Sequence, residues 1–414
     1  MRCHKLLIVI NFTGTGARRL TSINLYSTPD IVTNIAGQKP AHSRDRAASI
    51  RVISDGTTGM RLQALALGEA IQATRHPTTY LEDIITAPPL LLRYLPRLAR
   101  CLPLSWLGVM VDPKLAALSV SGPTIIITCG RRMAGLSIAM RRLGRTSAIT
   151  EGTRTIHIQD PRLPPQYFDI LIAPQHDPTR GPNVITSMAS LNRLSVDKIA
   201  HAAAALAPKW TKLPAPCIAV LLGGDNRRYD VSAAMIEKMA EKLSEFASST
   251  GASLALIPSR RTPYKLLSQL ATLLKATPHA IMNSRDENPY PGILGQAAAI
   301  VVTSDSVNMA SEAAITGKPV LIAEWQGETG RIDAFHKAMM KAGHTAPLGT
   351  DIPKNGFTPL FEMPFILRQV AFIASPSAKA CKRMPVVPSL INLMEAIVSK
   401  LCAGLCPTIL GAYS

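Results

Sequence analysis

The stretch Ile50-Arg51-Val52-Ile53-Ser54-Asp55-Gly56-Thr57-Thr58-Gly59 decides the fold class, because a short apolar strand runs directly into a polar, glycine-bearing turn. From Met60 to Ala73 the apolar residues then recur at helical spacing. Strand, turn and helix in this order open a βαβ unit. The same order returns in residues 124–143 and again from Ile218, so the alternation predicts an α/β protein.

Two series of such units follow one another, separated by a short stretch rich in alanine and proline. We predict a first Rossmann-like domain in residues 51–205, a linker in 206–216 and a second Rossmann-like domain in 217–374. Two successive halves of this kind are expected to face each other across a cleft. Residues 375–414 are predicted to be a tail with one helix, Pro388 to Leu401, which either crosses back onto the first domain or is loose.

Residues 1–50 differ from the rest of the chain. They hold seven basic residues against two acidic ones, and no helical period persists in them. A basic, acid-poor leader is typical of an organelle transit segment. We favour two plainer interpretations: a disordered extension, or a start codon placed too far upstream.

Composition limits the partners and the compartment. The 414 residues include 45 Lys and Arg against 27 Asp and Glu, a net charge of +18 that attracts anions such as nucleotide phosphates or acidic lipid headgroups. Aromatic residues make up only 5%, too few for the base-stacking platforms of a nucleic-acid binder. The seven cysteines match no zinc spacing and no apolar run spans a membrane, so we expect a cytoplasmic protein.

Polar residues follow the strands of the second half, where the carboxyl ends of parallel strands line a crevice. Glycines let backbone amides approach an anion, and adjacent guanidinium groups and hydroxyls bind phosphate oxygens, so these residues suit a nucleotide diphosphate. A glutamate in the next helix suits a ribose diol. The plainer alternatives are a tight turn, an ion pair and a helix cap. The predicted ligands of the nucleotide diphosphate are Gly223, Gly224, Arg260, Arg261, Ser304, Asp305, Ser306, Asn308 and Glu312.

The polar turns of the first half should face the same cleft. Asp55 and His176 are the candidate catalytic bases, and His176 with Asp177 forms a candidate acid–base pair, although a His-Asp pair in a loop is more often structural. We predict no metal ligands and no cofactor, with a nucleotide sugar as substrate. The further residues predicted to line the cleft are Gly56, Gly59, Gly130, Arg131, Asp177 and Asn183.

Residues 88–111 mix apolar side chains with Arg93, Arg97 and Arg100. Arginines three and four positions apart share one face of a helix. Such a segment suits the surface of an anionic membrane, which would place the protein peripherally at its inner face. A connecting helix with an inward apolar side explains the pattern equally well.

Several stretches together resemble one family, the mitochondrial fission family named for elongated mitochondria, most of whose members are bacterial proteins of unassigned role. The similar stretches occur in family order over residues 51–345 and exclude both ends of the chain. They are Ser54-Asp55-Gly56, Gln63-Ala64-Leu65, Asp160-Pro161-Arg162, Pro174 to Asp177, Gly181 to Val184, Leu222 to Asp225, Ser259 to Pro263, Asn288-Pro289-Tyr290 and Thr303 to Val320.

The resemblance implies a GT-B-like architecture, in which two Rossmann-like domains face a cleft and the second domain holds a nucleotide sugar. In that wider fold a loop like Ser304 to Asn308 binds the diphosphate and a glutamate like Glu312 binds the ribose. Some relatives carry histidine where this sequence has Met60. If that histidine is the transfer base, Asp55 or His176 must replace it here, or catalysis is lost.

Two functions therefore stay open. The first is a GT-B-like glycosyltransferase that binds a nucleotide-diphosphate sugar and an acceptor, which a lipid could carry. The second is a non-catalytic scaffold on the same fold that recruits a protein or binds a membrane surface through residues 88–111. A sugar-nucleotide epimerase is disfavoured because no nicotinamide fingerprint is visible.

Overall fold

The computed structural model describes residues 6–13, 19–27, 49–74, 80–111, 124–146, 153–209, 213–225, 231–282, 289–325, 330–350, 352, 356–360 and 362–374. Strands β1 (Leu6–Thr13) and β2 (Arg19–Ser27) pair as an antiparallel hairpin in a unit of their own. This hairpin falls inside the extension predicted for residues 1–50. The rest of that extension before Ser49, and the predicted tail 375–414 with its helix, lie outside the described residues.

The first large sheet has six strands, all parallel, in the order β4-β3-β5-β6-β7-β8. Every residue of β5 is buried, as expected for a parallel strand covered on both faces. The apolar runs Ile50–Ile53, Thr124–Thr128, Thr155–Gln159 and Ile170–Ala173 predict four of these strands, β3, β5, β6 and β7, and the sequence prediction missed the two at the edges, β4 and β8. The strands are β3 (Ser49–Ser54), β4 (Tyr80–Ile85), β5 (Thr124–Cys129), β6 (Arg154–Ile158), β7 (Ile170–Pro174) and β8 (Val184–Ser187).

Helices cover both faces of this sheet. On one side α1 packs its buried residues against β3, β4 and β5, and on the other α4 packs against β5 and β6. Two short helices and a 3₁₀-turn at Pro96–Arg100 lie on the outside of α4. The helices are α1 (Thr58–Ala73), α2 (Leu90–Tyr94), α3 (Leu104–Met110) and α4 (Ala134–Thr146).

The second large sheet also has six parallel strands, in the order β11-β10-β9-β12-β13-β14. Numbered from its own first strand, this is the strand order of the Rossmann fold. Its central strands β9 and β12 are buried along their whole length. The strands are β9 (Cys217–Leu222), β10 (Ser253–Pro258), β11 (His279–Ile281), β12 (Ala299–Thr303), β13 (Val320–Ala323) and β14 (Ala346–Pro347).

Seven further α-helices lie in the described residues, and two of them pack across the predicted domain limits. Helix α5 precedes the linker, yet it packs against α8 of the second half, where Gly292 and Gly295 allow close approach. Helix α11 comes last and packs against α1 and β8 of the first half. The helices are α5 (Val196–Leu206), α6 (Ala233–Thr250), α7 (Tyr264–Leu273), α8 (Tyr290–Gln296), α9 (Val307–Ala314), α10 (Arg331–Lys341) and α11 (Glu362–Ala374).

The predicted fold class is therefore confirmed: an α/β protein with two Rossmann-like domains that face a cleft, in a GT-B-like arrangement.

Candidate functional site

The loops predicted to carry chemistry all follow strand carboxyl ends, and the central ones follow the points where strand order reverses. In the second sheet this point lies between β9 and β12, which lead into Gly223 and Ser304. In the first sheet it lies between β3 and β5, which lead into Asp55 and Gly130. Ligands of open α/β sheets bind at such switch points.

A cavity of about 390 Å³ lies between the two halves. This volume is within the range of small-molecule sites. The first half contributes most of its wall, and the second half contributes the first residues of α9 and α10. The polar and charged residues that line it are Gln63, Arg131, Gln159, Asp160, Arg162, His176, Asp177, Ser187, Ser190, Asn308 and Arg331.

Asp305 ties together the three central loops of the second sheet. Its side chain is fully buried and pairs with the Arg261 guanidinium at 2.8 Å. One carboxylate oxygen accepts from the Thr303 hydroxyl at 2.7 Å, and the other accepts from the Gly224 amide at 3.4 Å. The Gly223 amide donates to Thr303 Oγ1 at 2.8 Å. Three predicted phosphate ligands, Gly224, Arg261 and Asp305, thus bind one another, and Gly223 is connected to them through Thr303.

The hydroxyls that follow are also engaged. Ser304 Oγ accepts from the Trp325 amide at 3.0 Å, and the Ser304 carbonyl accepts from His336 Nε2 at 2.8 Å. Ser306 Oγ accepts from the Met309 amide at 3.4 Å and so caps α9. The capping alternative therefore describes Ser306, while the opening amides of α9 are left facing outward from its N-terminus.

Arg260 and Asn308 reach across the cleft to α1. Arg260 Nη1 donates to the Thr58 hydroxyl at 3.0 Å, and Gln63 Nε2 donates to Asn308 Oδ1 at 3.4 Å. A β-carbon on Gly59 would lie 3.1 Å from Asn308 Nδ2, so glycine permits this approach. The two predicted ligands therefore sit where both halves of the cleft meet.

Glu312 is held by a residue from another predicted motif. The Tyr290 hydroxyl donates to Glu312 Oε2 at 2.7 Å. Burial raises the pKa of the Glu312 carboxyl, and the bond from Tyr290 opposes the shift only in part. Tyr290 thus fixes one oxygen of the carboxyl predicted to bind ribose.

The two candidate bases differ in protonation and place. Burial raises the pKa of Asp55, but the hydrogen bonds from Thr57 and Arg132 outweigh it, so the pKa lies below its usual value. Asp55 also lies outside the residues that line the cavity. His176, by contrast, lines the cavity. Burial lowers its pKa below the usual value, so the imidazole is mainly neutral at pH 7.

Asp177 lies beside His176 and is almost completely buried. Its carboxylate pairs with the Arg331 guanidinium at 2.9 Å. Burial raises the pKa of Asp177, against the lowering effect of Arg331 and His176. His176 is therefore an uncharged imidazole, and Arg331 compensates the charge of the neighbouring Asp177 carboxylate.

Of the other residues predicted to line the cleft, two line the cavity, and four are not part of its lining: Gly56, Gly59, Gly130 and Asn183. Arg131 and Asp177 do line the cavity. Asn183 does not, because its amide donates to the carbonyls of Pro165 and Phe168 and holds that loop in place. Gly56 and Gly130 have φ of 80° and 87°, which explains glycine at both turns.

Met60 occupies the position where the resemblance implies histidine in some relatives. Its thioether lines the cavity and would lie 3.2 Å from a β-carbon on Gly130. A thioether is only a weak acceptor and cannot serve as a base.

Two features of the site were missed as site residues in the sequence. The loop Gln159–Arg162 contributes three side chains to the cavity, although it was noted only as part of the resemblance. Gln159 and Arg162 have φ of 74° and 56°, and no other described non-glycine residue has a positive φ. Arg331 begins α10, and no sequence pattern connects it with Asp177. A positive φ in a non-glycine residue leaves no clear mark in the sequence.

Within the described residues, no cluster of three or more His, Cys, Asp or Glu side chains is arranged to hold a metal ion. None of the described helices has both the length and the apolar character needed to cross a bilayer.

Comparison with known proteins settles the family. The sequence model of the family described as "Mitochondrial fission ELM1" matches residues 58–371. This chain belongs to the mitochondrial fission ELM1 family. The resemblance drawn from the motifs is thereby confirmed.

This ELM1 family member is similar to a plant protein and to a bacterial protein. It is 28% identical over 246 residues to mitochondrial fission protein ELM1 of Arabidopsis thaliana, covering 54% of this chain and 56% of the plant protein. It therefore spans little more than half the length of that relative. It is also 28% identical over 312 residues to an uncharacterised protein of Rickettsia prowazekii, covering 66% of this chain and 82% of that protein.

Solved structures with similar folds are much more distant from this ELM1 family member. The UDP-GlcNAc 2-epimerase of Neisseria meningitidis bound to UDP-GlcNAc has 13% identity and a TM-score of 0.47, covering 86% of this chain and all of that one. The MurG protein of Acinetobacter baumannii has 12% identity and a TM-score of 0.42, covering 72% of this chain and 85% of that one.

Proposed function

We propose that this ELM1 family member binds a nucleotide-diphosphate sugar in the cleft and transfers the sugar to an acceptor hydroxyl. The observation that carries this is the cavity itself. It lies at the carboxyl ends of both sheets and has a neutral histidine, His176, on one wall and the N-terminus of α9 on the other.

The donor is placed against the second half. The outward-facing amides and the dipole of α9 favour a diphosphate near Asn308, and Arg260 adds a cation at the rim of the same cleft. Glu312, six residues along from the Ser306 cap, is the proposed ribose ligand. Tyr290 holds one of its oxygens and thereby orients the other.

The transfer step assigns the base to His176. Its imidazole takes the proton of the acceptor hydroxyl while that oxygen bonds to the anomeric carbon of the sugar. The bond between this carbon and the diphosphate oxygen breaks, and the nucleoside diphosphate leaves as an anion. The α9 N-terminus and Arg260 stabilise the charge that develops on it. Asp55 is a weaker base because its pKa is lowered.

A thermal-unfolding screen of the full chain against UDP, GDP, ADP and their sugar derivatives tests donor binding. A ligand at about 100 times its dissociation constant should add roughly 2.7 kcal/mol of stability. We expect stabilisation by one nucleotide class, and we expect Glu312→Ala to reduce it. Glu237→Ala is the matched control, because Glu237 is exposed on α6, away from the cleft.

Release of nucleoside diphosphate from the stabilising sugar nucleotide would then report the chemistry, with His176→Ala as the inactive variant. Stabilisation by no nucleotide would contradict the proposal. Binding without any release, in the presence of candidate acceptors, would leave only a nucleotide-sugar binding protein.

A second candidate function, docking to an anionic membrane, is supported by a separate surface. Half of the strongly exposed large apolar side chains among the described residues lie between Ile85 and Val109. Leu90, Tyr94 and Trp106 are 68%, 70% and 62% exposed. The sequence from Ile84 to Val111 contains three arginines and no acidic residue. Clustered apolar side chains with basic neighbours suit the headgroup region of an anionic bilayer.

Co-sedimentation with vesicles tests this surface directly. The full chain should bind vesicles that contain phosphatidylserine more strongly than neutral vesicles, and salt should weaken the difference. A double variant, Leu90→Ser with Trp106→Ser, should lose most of the binding. Tyr264→Ser removes an 84% exposed aromatic elsewhere and should change nothing. Equal binding by the double variant would exclude this surface.

A further inference from the structure

The cavity carries more positive charge than the donor site requires. Arg131, Arg162 and Arg331 all line it. Arg331 is compensated by Asp177. Among the described residues, no carboxylate forms an ion pair with Arg131 or Arg162. The lining holds three guanidinium groups against the carboxylates of Asp160 and Asp177, so one positive charge is in excess, and a bound anion compensates it.

The loop that presents Arg162 is built to hold one conformation. Asp160 is 3% exposed, and its Oδ1 accepts the Arg162 amide at 2.8 Å, which closes a tight turn. The Gln159 amide donates to the Ile172 carbonyl at 2.7 Å and anchors the start of the turn. The turn contains both non-glycine residues with positive φ. Strained backbone that is held so firmly clusters at ligand sites.

We infer that Arg131 and Arg162 of the first half, together with Arg331 of α10, form a second anion subsite in the cavity that binds a phosphate or diphosphate group. Guanidinium groups match the oxygens of such a group in bidentate geometry. The subsite shares the cavity with His176, the proposed base. If the proposed function holds, the phosphate or diphosphate group bound there therefore belongs to the acceptor. The acceptor is thus a phosphorylated or diphosphorylated molecule rather than a neutral sugar or alcohol.

The donor diphosphate is the other source of the same chemistry, and the two differ in position. The proposed donor contacts, Arg260 and the start of α9, belong to the second half, whereas Arg131 and Arg162 belong to the first. A separate subsite remains able to bind an anion when the donor site is filled. A single shared site does not.

Calorimetric titration of the full chain with inorganic diphosphate, with and without saturating UDP, separates these cases. We expect binding in both conditions. Arg131→Ala and Arg162→Ala should each weaken diphosphate binding by about tenfold or more, which corresponds to the loss of a charge-assisted contact. Arg162→Lys should recover part of the loss. Arg368→Ala is the charge-matched control, because Arg368 is exposed on α11 and does not line the cavity, and it should bind as the parent protein does.

Unchanged diphosphate binding in both arginine variants would overturn the inference. So would complete displacement of diphosphate by UDP, since the anion would then occupy the donor site. An absence of diphosphate binding in a protein that does bind UDP also overturns it and leaves the donor proposal standing. Diphosphate binding that depends on Arg162 in a protein that binds no nucleotide supports the subsite and rejects the donor proposal.

Discussion

At the scale of single residues, the glycines after β9 serve the packing of the protein itself. A β-carbon on Gly224 would lie 1.9 Å from the Arg261 carbonyl oxygen, and one on Gly223 would lie 2.0 Å from Asp305 Oδ1. Neither neighbour is the free end of a flexible chain, because one is backbone and the other is a buried, paired carboxylate. The turn therefore needs glycine before any ligand is considered.

Gly224→Ala should accordingly destabilise the protein. Relief of the overlap requires a shift of the loop after β10, and overpacking of this kind costs about 1–3 kcal/mol. Urea unfolding, followed by circular dichroism, measures the loss. Gly108→Ala is the matched control, since a β-carbon there meets nothing within 4 Å and lies in α3. Equal stability of the two variants would show that the loop after β10 shifts without a measurable loss of stability.

Residue environments also separate candidates that the sequence leaves equal. Asp55 and His176 are both polar residues after strands, and nothing in the pattern ranks them. Their surroundings do, because Thr57 and Arg132 stabilise the charged form of Asp55 whereas burial favours the neutral form of His176. This ranking depends partly on neighbours far apart in sequence, such as Arg132 beside Asp55.

At the scale of elements, the inner strands of the first sheet could be predicted and its edge strands could not. Inner strands such as β5 and β9 are buried throughout, so they appear in the sequence as unbroken apolar runs. Strand β4 carries Glu82 and Asp83 in its middle and pairs with β3 alone. Its acids are compensated by Arg51 and Arg61, one on β3 and one on α1. A strand that depends on distant partners has no clear local pattern.

The position of the site could be predicted from the sequence, but the contacts between its side chains could not. Parallel strands end at one edge of their sheet, so the loops after β3, β9 and β12 could be assigned to the cleft from sequence order alone. Which of their side chains pair with each other could not, as the ties from Asp305 to Arg261 and from Glu312 to Tyr290 show. These contacts depend on how neighbouring loops fold over one another.

At the scale of the whole molecule, the two halves are joined by more than the linker. Helix α5 lies before the linker and packs on the second half, while α11 follows the second half and packs on the first. Glu362, at the start of α11, secures this return. Its carboxyl group accepts from the amides of Met188 and Ala189, just after β8. Helix α11 is thus fastened to the segment between β8 and α5.

This junction should make stability depend on pH. Burial raises the pKa of Glu362 to about 7, against the opposing effect of the two amides. A raised pKa means that the folded state binds the proton more tightly than the unfolded state does. The stabilisation is therefore complete at low pH and is lost as the pH rises through about 7.

Between about pH 5 and about pH 8, Glu362 should remove roughly 2 kcal/mol from the free energy of unfolding. Glu362→Gln keeps the shape and cannot titrate, so its stability should change less over this range. Urea unfolding at several pH values compares the slopes, which are independent of any uniform cost of the substitution. Glu237→Gln, at an exposed site, should follow the parent protein. Identical slopes for the parent and Glu362→Gln would mean that the carboxyl is already ionised throughout, and that the two amides outweigh burial at the junction of the halves.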